Sequence, residues 1–228
     1  MQQKILEQLL QDRASKRAVA LATNLATGAE QLLYADGDAQ TELAQQARTA
    51  LREDKARLVE TPEGEIFINV FNPPLRLLIA GAVHIAQPLS RMAALAGYDV
   101  TIIDPRRAFA TAERFPGVTL LNEWPDAGVA ELRPDARTAI VTLTHDPKLD
   151  DAALSTALNS GSFYIGCLGS KKTHAARLER LRLAGFGDAV MARIHGPVGL
   201  AIGAISPAEI AVSILAQMTS ILRGGSVR

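Results

Sequence analysis

The sequence predicts two units in tandem: a small α+β domain over residues 1–72, then an α/β domain with an open parallel sheet over 75–228. Three observations carry this. Pro73-Pro74 interrupts the chain, and a proline pair does not sit inside a helix or a central strand. Upstream, short runs of strand-forming residues are separated by turn residues. Downstream, apolar runs alternate with helical stripes, as in buried parallel strands covered by helices on both faces.

In the first unit, Ile5, Leu6, Leu9 and Leu10 fall at helical spacing. Strands follow at Ala18–Leu25 and Gln31–Tyr34, with Thr27-Gly28 as the turn between them and Asp36-Gly37 as the next turn. A helix is expected from Gln40 to Arg52, with Leu43, Ala47 and Leu51 on one stripe. Two more strands, Arg57–Val59 and Glu65–Phe71, are joined by Pro62-Glu63-Gly64. In the second, Ile66, Ile68 and Val70 share one face and Phe67 and Phe71 the other. This predicts a strand covered on both sides.

In the second unit the strand Leu75–Ala80 precedes a helix over Ile85–Leu95, ended by Gly97. Strand Val100–Ile103 ends at Asp104-Pro105, and a short strand is expected at Val118–Leu121. Strand Thr138–Leu143 leads to a helix over Pro147–Leu158. Strand Phe163–Leu168 leads to a helix over Lys171–Leu183, closed by Gly185. The last helix, Pro207–Leu222, has Ser206 as N-cap, proline at its first position and Glu209 completing a capping box; Gly224-Gly225 ends it.

Composition narrows the function classes. Lys plus Arg is 24 and Asp plus Glu is 24 in 228 residues, which argues against a nucleic-acid coat or a polybasic membrane binder. Hydrophobic residues at 48% and charged residues at 21% argue against a disordered chain. One cysteine forms no internal disulfide and no four-cysteine zinc site. The start, M-Q-Q-K-I-L-E-Q-L-L-Q-D-R, is amphipathic and charged, unlike a secretory signal, and no apolar run approaches the ~18 residues of a membrane span. A soluble cytoplasmic protein is expected.

In an open parallel sheet, ligands bind beyond the carboxyl ends of the strands. The first exit is Gly81-Ala82-Val83-His84-Ile85-Ala86. Against the dinucleotide fingerprint G-x-G-x-x-G/A, Gly81 and Ala86 fit the first and third positions, but Val83 stands where a glycine lets pyrophosphate approach the backbone. NAD(P) binding is therefore expected to be weak; the alternative is that Gly81 and Ala86 serve only helix–strand packing. Asp104 lies 23 residues beyond Gly81, close to the ~20 expected for a ribose-binding acid. Arg106 and Arg107 beside it are suited to a phosphate, and a solvated turn is the other reading.

The third exit, Thr144-His145-Asp146, offers a hydroxyl, an imidazole and a carboxylate. Asp146 reads as the cap of the next helix, and His145 as a ligand contact or a proton-transfer group. The fourth, Gly169-Ser170-Lys171-Lys172-Thr173, suits an anion at a helix start, with capping by Ser170 as the alternative; it is not a Walker A loop. Cys167 reads as a buried thiol. The Gly/Pro-rich stretch His195–Gly203 reads as a loop, either structural or folded over the site. His84, His145, His174 and His195 are scattered. Neither H-E-x-x-H nor C-x-x-C nor G-x-S-x-G occurs, so no metal site or nucleophile elbow is expected.

Several segments in order carry a family likeness: L-L-I-A-G-A-V-H-I-A, I-I-D-P-R-R-A-F-A-T, E-R-F-P, L-T-H-D-P-K-L-D-D, Y-I-G-C-L-G-S-K-K-T-H-A-A-R-L and G-L-A-I-G-A-I-S-P-A-E-I-A. Over about residues 75–225 the chain resembles the Rossmann-like domain of the xanthine dehydrogenase accessory family, the XdhC/CoxI type. Its first 72 residues look like a reduced form of that family's N-terminal domain. They lack the G-G-G-C and G-S-x-P-R-like segments, so no role of those motifs carries over.

The resemblance implies a molybdenum-cofactor chaperone. Such a protein would bind the molybdopterin-type cofactor transiently, help its sulfuration and insert it into xanthine-dehydrogenase- or CO-dehydrogenase-type enzymes. The implied partners are that molybdenum hydroxylase client and a cysteine desulfurase. On this reading Gly81 to Ala86 and Gly169 to Lys171 face phosphates, Asp104 faces a ribose, and His145 faces the pterin or molybdenum end. The competing readings are an NAD(P)-dependent oxidoreductase on the same fold and an interaction scaffold whose site binds nothing. A homodimer is also expected, through the apolar residues Ile210, Ile214, Leu215 and Met218 of the last helix.

Overall fold

The computed structural model describes residues 2–37 and 40–225, and the chain divides into two compact units, 1–73 and 74–228.

The first unit runs α1 (Gln3–Ala14), β1 (Val19–Asn24), β2 (Glu30–Tyr34), α2 (Glu42–Glu53), β3 (Arg57–Thr61) and β4 (Gly64–Phe71). Its sheet is antiparallel, in the order β2-β1-β4-β3. Asn24 builds the first hairpin turn, its Oδ1 accepting from the N–H groups of Ala26 and Thr27, both at 2.9 Å. Thr41 caps α2 through a bond from Ala44 N. Ala47, Ala50 and Leu51 of α2 pack on Ala20, Ala22, Ile66 and Ile68, one face of the sheet. On the other face Arg13 lies over the Phe71 ring, but Phe67 is 40% exposed. The expected two-sided cover of β4 therefore fails at Phe67, because its side chain points away from the face α2 covers.

The second unit runs β5 (Leu75–Ala80), α3 (Ala86–Leu95), β6 (Tyr98–Ile103), β7 (Thr119–Leu121), α4 (Pro125–Leu132), β8 (Thr138–Thr142), α5 (Pro147–Leu158), β9 (Tyr164–Cys167), α6 (Lys171–Leu183), α7 (Asp188–Met191), β10 (Ile194–His195) and α8 (Pro207–Arg223). All six strands are parallel, in the order β10-β9-β8-β5-β6-β7. Counted from β5 as strand 1, this is the 3-2-1-4-5-6 arrangement of dinucleotide-binding sheets. The order reverses between β5 and β8.

Strand alternation builds a core on each face. Leu77 and Ile79, Val100 and Ile102, and Ala139 and Val141 face α3 and α8. Leu78, Ile103, Ile140, Ile165 and Cys167 face the opposite way, toward Val129 of α4, Leu154 of α5 and Leu181 of α6. The central strands are buried on both faces, which is why they read as apolar runs without alternation. At α8 the expected capping box forms, with Ser206 Oγ accepting from Glu209 N and the Glu209 carboxylate accepting from Ser206 N.

Three departures from the sequence reading have physical causes. Helix α4 was not anticipated: it is short, and Gly128 within it reads as a breaker. Here a Cβ on Gly128 would come within 2.6 Å of Ile103 Cγ2, so the glycine permits close helix–sheet approach. The His195 stretch is not a lid. Ile194 and His195 pair with β9 as an edge strand, Val198 is buried, and Gly199 N donates to Gln217 Oε1 at 2.9 Å. Finally, Ile214 and Met218 are buried in this domain's own core, and α8 packs on α3, so those side chains offer no surface to a second copy.

Candidate functional site

The strand exits form one continuous rim, stitched by backbone bonds that carry the sheet a residue past each strand. Asp104 N donates to Leu121 O (3.1 Å), Gly81 N to Ile103 O (2.9 Å), Leu143 N to Ala80 O (2.9 Å), Leu168 N to Thr142 O (2.9 Å) and Val198 N to Cys167 O (3.0 Å). The loops at 81–85, 104–106, 143–145 and 168–170 therefore lie along the carboxyl edge, with the reversal of strand order between the first and the third.

Gly81 has φ +115°, and a Cβ there would come within 2.7 Å of Thr144 Cγ2. Only glycine suits both the backbone conformation and the contact. The two loops at the reversal thus touch through Gly81. Ala82 is buried, Val83 and Ile85 are half-buried against the core, and His84 is exposed. Val83 is outside the positive-φ residues, so its loop does not adopt the glycine conformation of the fingerprint at that position. Helix α3 has Ile85 at its N-cap and no side-chain cap, whereas α5 and α6 are capped by Asp146 and Ser170.

Asp104 is fully buried. A carboxylate offers about four lone-pair positions, and four donors meet this one. Arg106 N (2.9 Å) and Nε (2.9 Å) donate to Oδ1; Ala82 N (2.8 Å) and Arg106 Nη2 (2.8 Å) donate to Oδ2. Burial pushes its pKa up, but the bonds from Arg106 and Ala82 outweigh this and hold it below the usual carboxylate value. The acid expected to face a ribose thus clamps the first exit loop to the second and presents Arg106, which is 38% exposed, at the rim.

Thr144 is tied down by Asp150: its N (3.1 Å) and Oγ1 (2.7 Å) both donate to Asp150 Oδ1. His145, the next residue, is exposed in the left-handed region at φ +62°. Asp150 is buried, which raises its pKa against the opposing effects of the Thr144 bonds and Arg177. Arg177, 2% exposed, has Nη2 3.6 Å from Asp150 Oδ2 and donating to Leu168 O at 3.1 Å. Asp150 holds the third loop, Arg177 holds the fourth, and the ion pair couples them. Sequence reasoning passed over both. The available signal was an acid and a base set among the inward positions of α5 and α6, beside Leu149 and Leu181.

Gly169 (φ +147°) opens the fourth loop; a Cβ there would lie 3.2 Å from Thr173 Cβ and 3.7 Å from Arg177 Nη1, a buried nitrogen with no hydrogen-bond partner. Ser170 Oγ accepts from Thr173 N at 3.1 Å, and Lys171 is exposed on the first turn of α6. Cys167 is buried, and burial pushes its thiol up to about 12.

The rim thus brings Gly81–Ile85, Arg106, Thr144-His145 and Gly169–Lys171 to one edge, with the cationic side chains of Arg106 and Lys171 reaching solvent there. Such a donor set fits an anionic, phosphate-bearing ligand. Among the described residues there is no group of three or more His, Cys, Asp or Glu suited to a metal ion, and no helix long and apolar enough to cross a membrane.

The model of the XdhC Rossmann domain matches residues 77–218. Three bacterial relatives align with the chain. An uncharacterised protein of Escherichia coli strain K12, YqeB, is 33% identical over 68% of this chain and 29% of its own length. A protein of Bacillus subtilis strain 168, named as a probable xanthine dehydrogenase subunit, is 34% identical over 67% of this chain and 44% of its own. The molybdenum cofactor insertion chaperone PaoD of Escherichia coli strain K12 is 32% identical over 66% of this chain and 41% of its own. The match thus takes up less than half of each relative. A crystal structure described as a xanthine dehydrogenase from Bacillus halodurans shares the fold, with a TM-score of 0.66 at 23% identity, over 98% of this chain and 65% of that one. The matched domain model spans more than half of the chain: this chain belongs to the XdhC family, defined by its Rossmann domain.

Proposed function

We propose that this protein is a molybdenum-cofactor maturation factor. It binds a molybdopterin-type cofactor transiently at the carboxyl rim of the parallel sheet. It then delivers the cofactor to a xanthine-dehydrogenase- or CO-dehydrogenase-type client, in company with a cysteine desulfurase that sulfurates it. The observation that carries this is the contact of Gly81 with Thr144 at the reversal of strand order, where this fold class opens its ligand crevice. The names of two relatives, one a cofactor insertion chaperone, support the choice of ligand.

In this proposal Gly81, Ala82, Val83, His84 and Ile85 line the phosphate side, with Gly169, Ser170 and Lys171 as the second anion contact. Thr144 and His145 meet the pterin or molybdenum end. Asp104 acts through Arg106 rather than on a ribose, because all four of its lone-pair positions are engaged. The bound cofactor would supply all the redox chemistry; the chain's residues hold, orient and release it. Cys167 supplies no sulfur to it, since the thiol is buried and protonated at neutral pH. Association of two copies through α8 would rest on Val212 and Ile221, which remain exposed.

The test is transfer. The chain purified from a host that makes the cofactor is mixed with a cofactor-free xanthine-dehydrogenase-type enzyme. The proposal expects activity to return faster than with the same amount of free cofactor. Equal rates, or hydride transfer from NAD(P)H by the chain itself, would overturn it, the latter in favour of an oxidoreductase.

A further inference from the structure

Beside the first exit loop lies a cleft of about 360 Å³ lined by Ala82, Val83, His84, Arg106, Phe109 and Arg114. In this fold the end of β6 ordinarily offers an acid to a ribose diol. Here that acid, Asp104, is closed off, and two guanidinium groups stand in the cleft instead. Arg106 engages Asp104 through Nε and one Nη2 hydrogen, leaving its Nη1 group and the other Nη2 hydrogen unengaged. Arg114 donates from Nη1 to Phe109 O. With the Gln87 amide oxygen turned toward it, Arg114 also donates from Nε (2.9 Å) and Nη2 (3.3 Å). One hydrogen on each of its Nη groups remains.

Aromatic rings flank both cations. Arg106 Cζ lies 4.7 Å from the Phe109 ring centroid, and Arg114 Cζ lies 5.3 Å from that of Phe115 and 6.0 Å from that of Phe109. The exposed His84 also lines the cleft.

We infer that this cleft is a phosphomonoester subsite, with Arg106, Arg114 and His84 gripping a dianionic phosphate ester. The donors are too many for a carboxylate's two oxygens and suit three phosphate oxygens. The carboxylate that would accept from a ribose diol is already engaged, so a ligand that places only hydroxyls at this point is disfavoured. The inference deepens the proposal above by assigning the end of the ligand that carries a terminal phosphate. It rests on that proposal for the ligand's identity and not for the phosphate chemistry. Two sources of such a group are a ribose 2′-phosphate and a pterin side-chain phosphate.

Calorimetric titration of the full chain with adenosine 2′,5′-bisphosphate, NAD (whose pyrophosphate carries no terminal phosphate) and a pterin monophosphate separates them. The expected result is that at least one phosphomonoester probe binds about tenfold or more tightly than NAD, the scale of one charge-assisted hydrogen bond. The preferred probe identifies the source. In Arg114→Gln that preference is expected to vanish while unfolding stays cooperative and the Asp104 bonds stay in place, since Arg114 is outside the Asp104 clamp. Arg106→Gln serves as the second variant, with the same loss. Equal affinity for all three probes, or a preference that survives in Arg114→Gln, would overturn the subsite. Failure of cofactor transfer with the phosphomonoester preference intact would instead count against the maturation role alone.

Discussion

Replacing Asp104 with alanine should destabilise the ligand-free protein, because the carboxylate holds the rim together. The substitution leaves the Ala82 N–H buried without a partner, at a cost of about 1–3 kcal/mol. The guanidinium of Arg106 is 38% exposed and can turn toward water, so its loss adds only up to about 1 kcal/mol. The total is about 1–4 kcal/mol. For a unit of this size each kcal/mol moves the melting temperature by roughly 2–4 °C, giving a drop of about 2–16 °C. The assay is thermal and urea unfolding without ligand. The same pair carries a pH signature. The Asp104 pKa is lowered in the folded state, so its contribution is fully present above the unfolded value of about 3.9 and is lost as pH falls through the folded value. The difference between wild type and Asp104→Ala should therefore shrink in acid. An unaltered melting temperature at neutral pH, with only ligand binding impaired, would refute the clamp and return Asp104 to direct ligand contact.

Three further outcomes follow from the same geometry. Gly81→Ala should cost about 2–4 kcal/mol, from positive φ and the clash with Thr144, read by urea unfolding; a neutral result would mean that the two loops do not touch. Cys167 should resist iodoacetamide at pH 8 in the native protein and react on unfolding, as followed by mass spectrometry, since its thiol is pushed up to about 12; rapid native labelling would contradict its burial. Val83→Gly should tighten NAD(P) binding from the high-micromolar range expected of the native loop, while costing about 1–2 kcal/mol of stability through lost packing and added chain freedom; calorimetry that shows tight native binding would reverse the reading.

Much of the second unit was legible because its signals are local. Leu75–Ala80 is continuously apolar apart from Arg76, helices 147–158 and 171–183 carry caps at the residues where the structure starts them, and Gly185 closes the second. Helix α4 and strand β10 were missed for different reasons. The first hides a glycine that serves close packing, and the second is two residues long and exists only by pairing with β9. At the site, the loops themselves were readable from strand ends. What Asp104 does was not, because its position matches a ribose acid, while its partners are fixed by the fold of the neighbouring turn. Asp150 and Arg177 carried only the signal of charges at inward helix positions, and their pairing was not legible because it joins two helices distant in sequence. The first unit was legible in its strands but not in which face is covered, as Phe67 shows.

The central claim is that this family member carries a molybdenum cofactor on the rim of its parallel sheet. Native mass spectrometry of the full chain tests it most directly, comparing protein made in a host that synthesises the cofactor with protein from the same host blocked in that synthesis. The account predicts an added mass matching a molybdopterin-type cofactor in the first sample only, lost in Arg106→Gln. The bare chain mass in both samples, or the mass of NAD(P) in both, would contradict it.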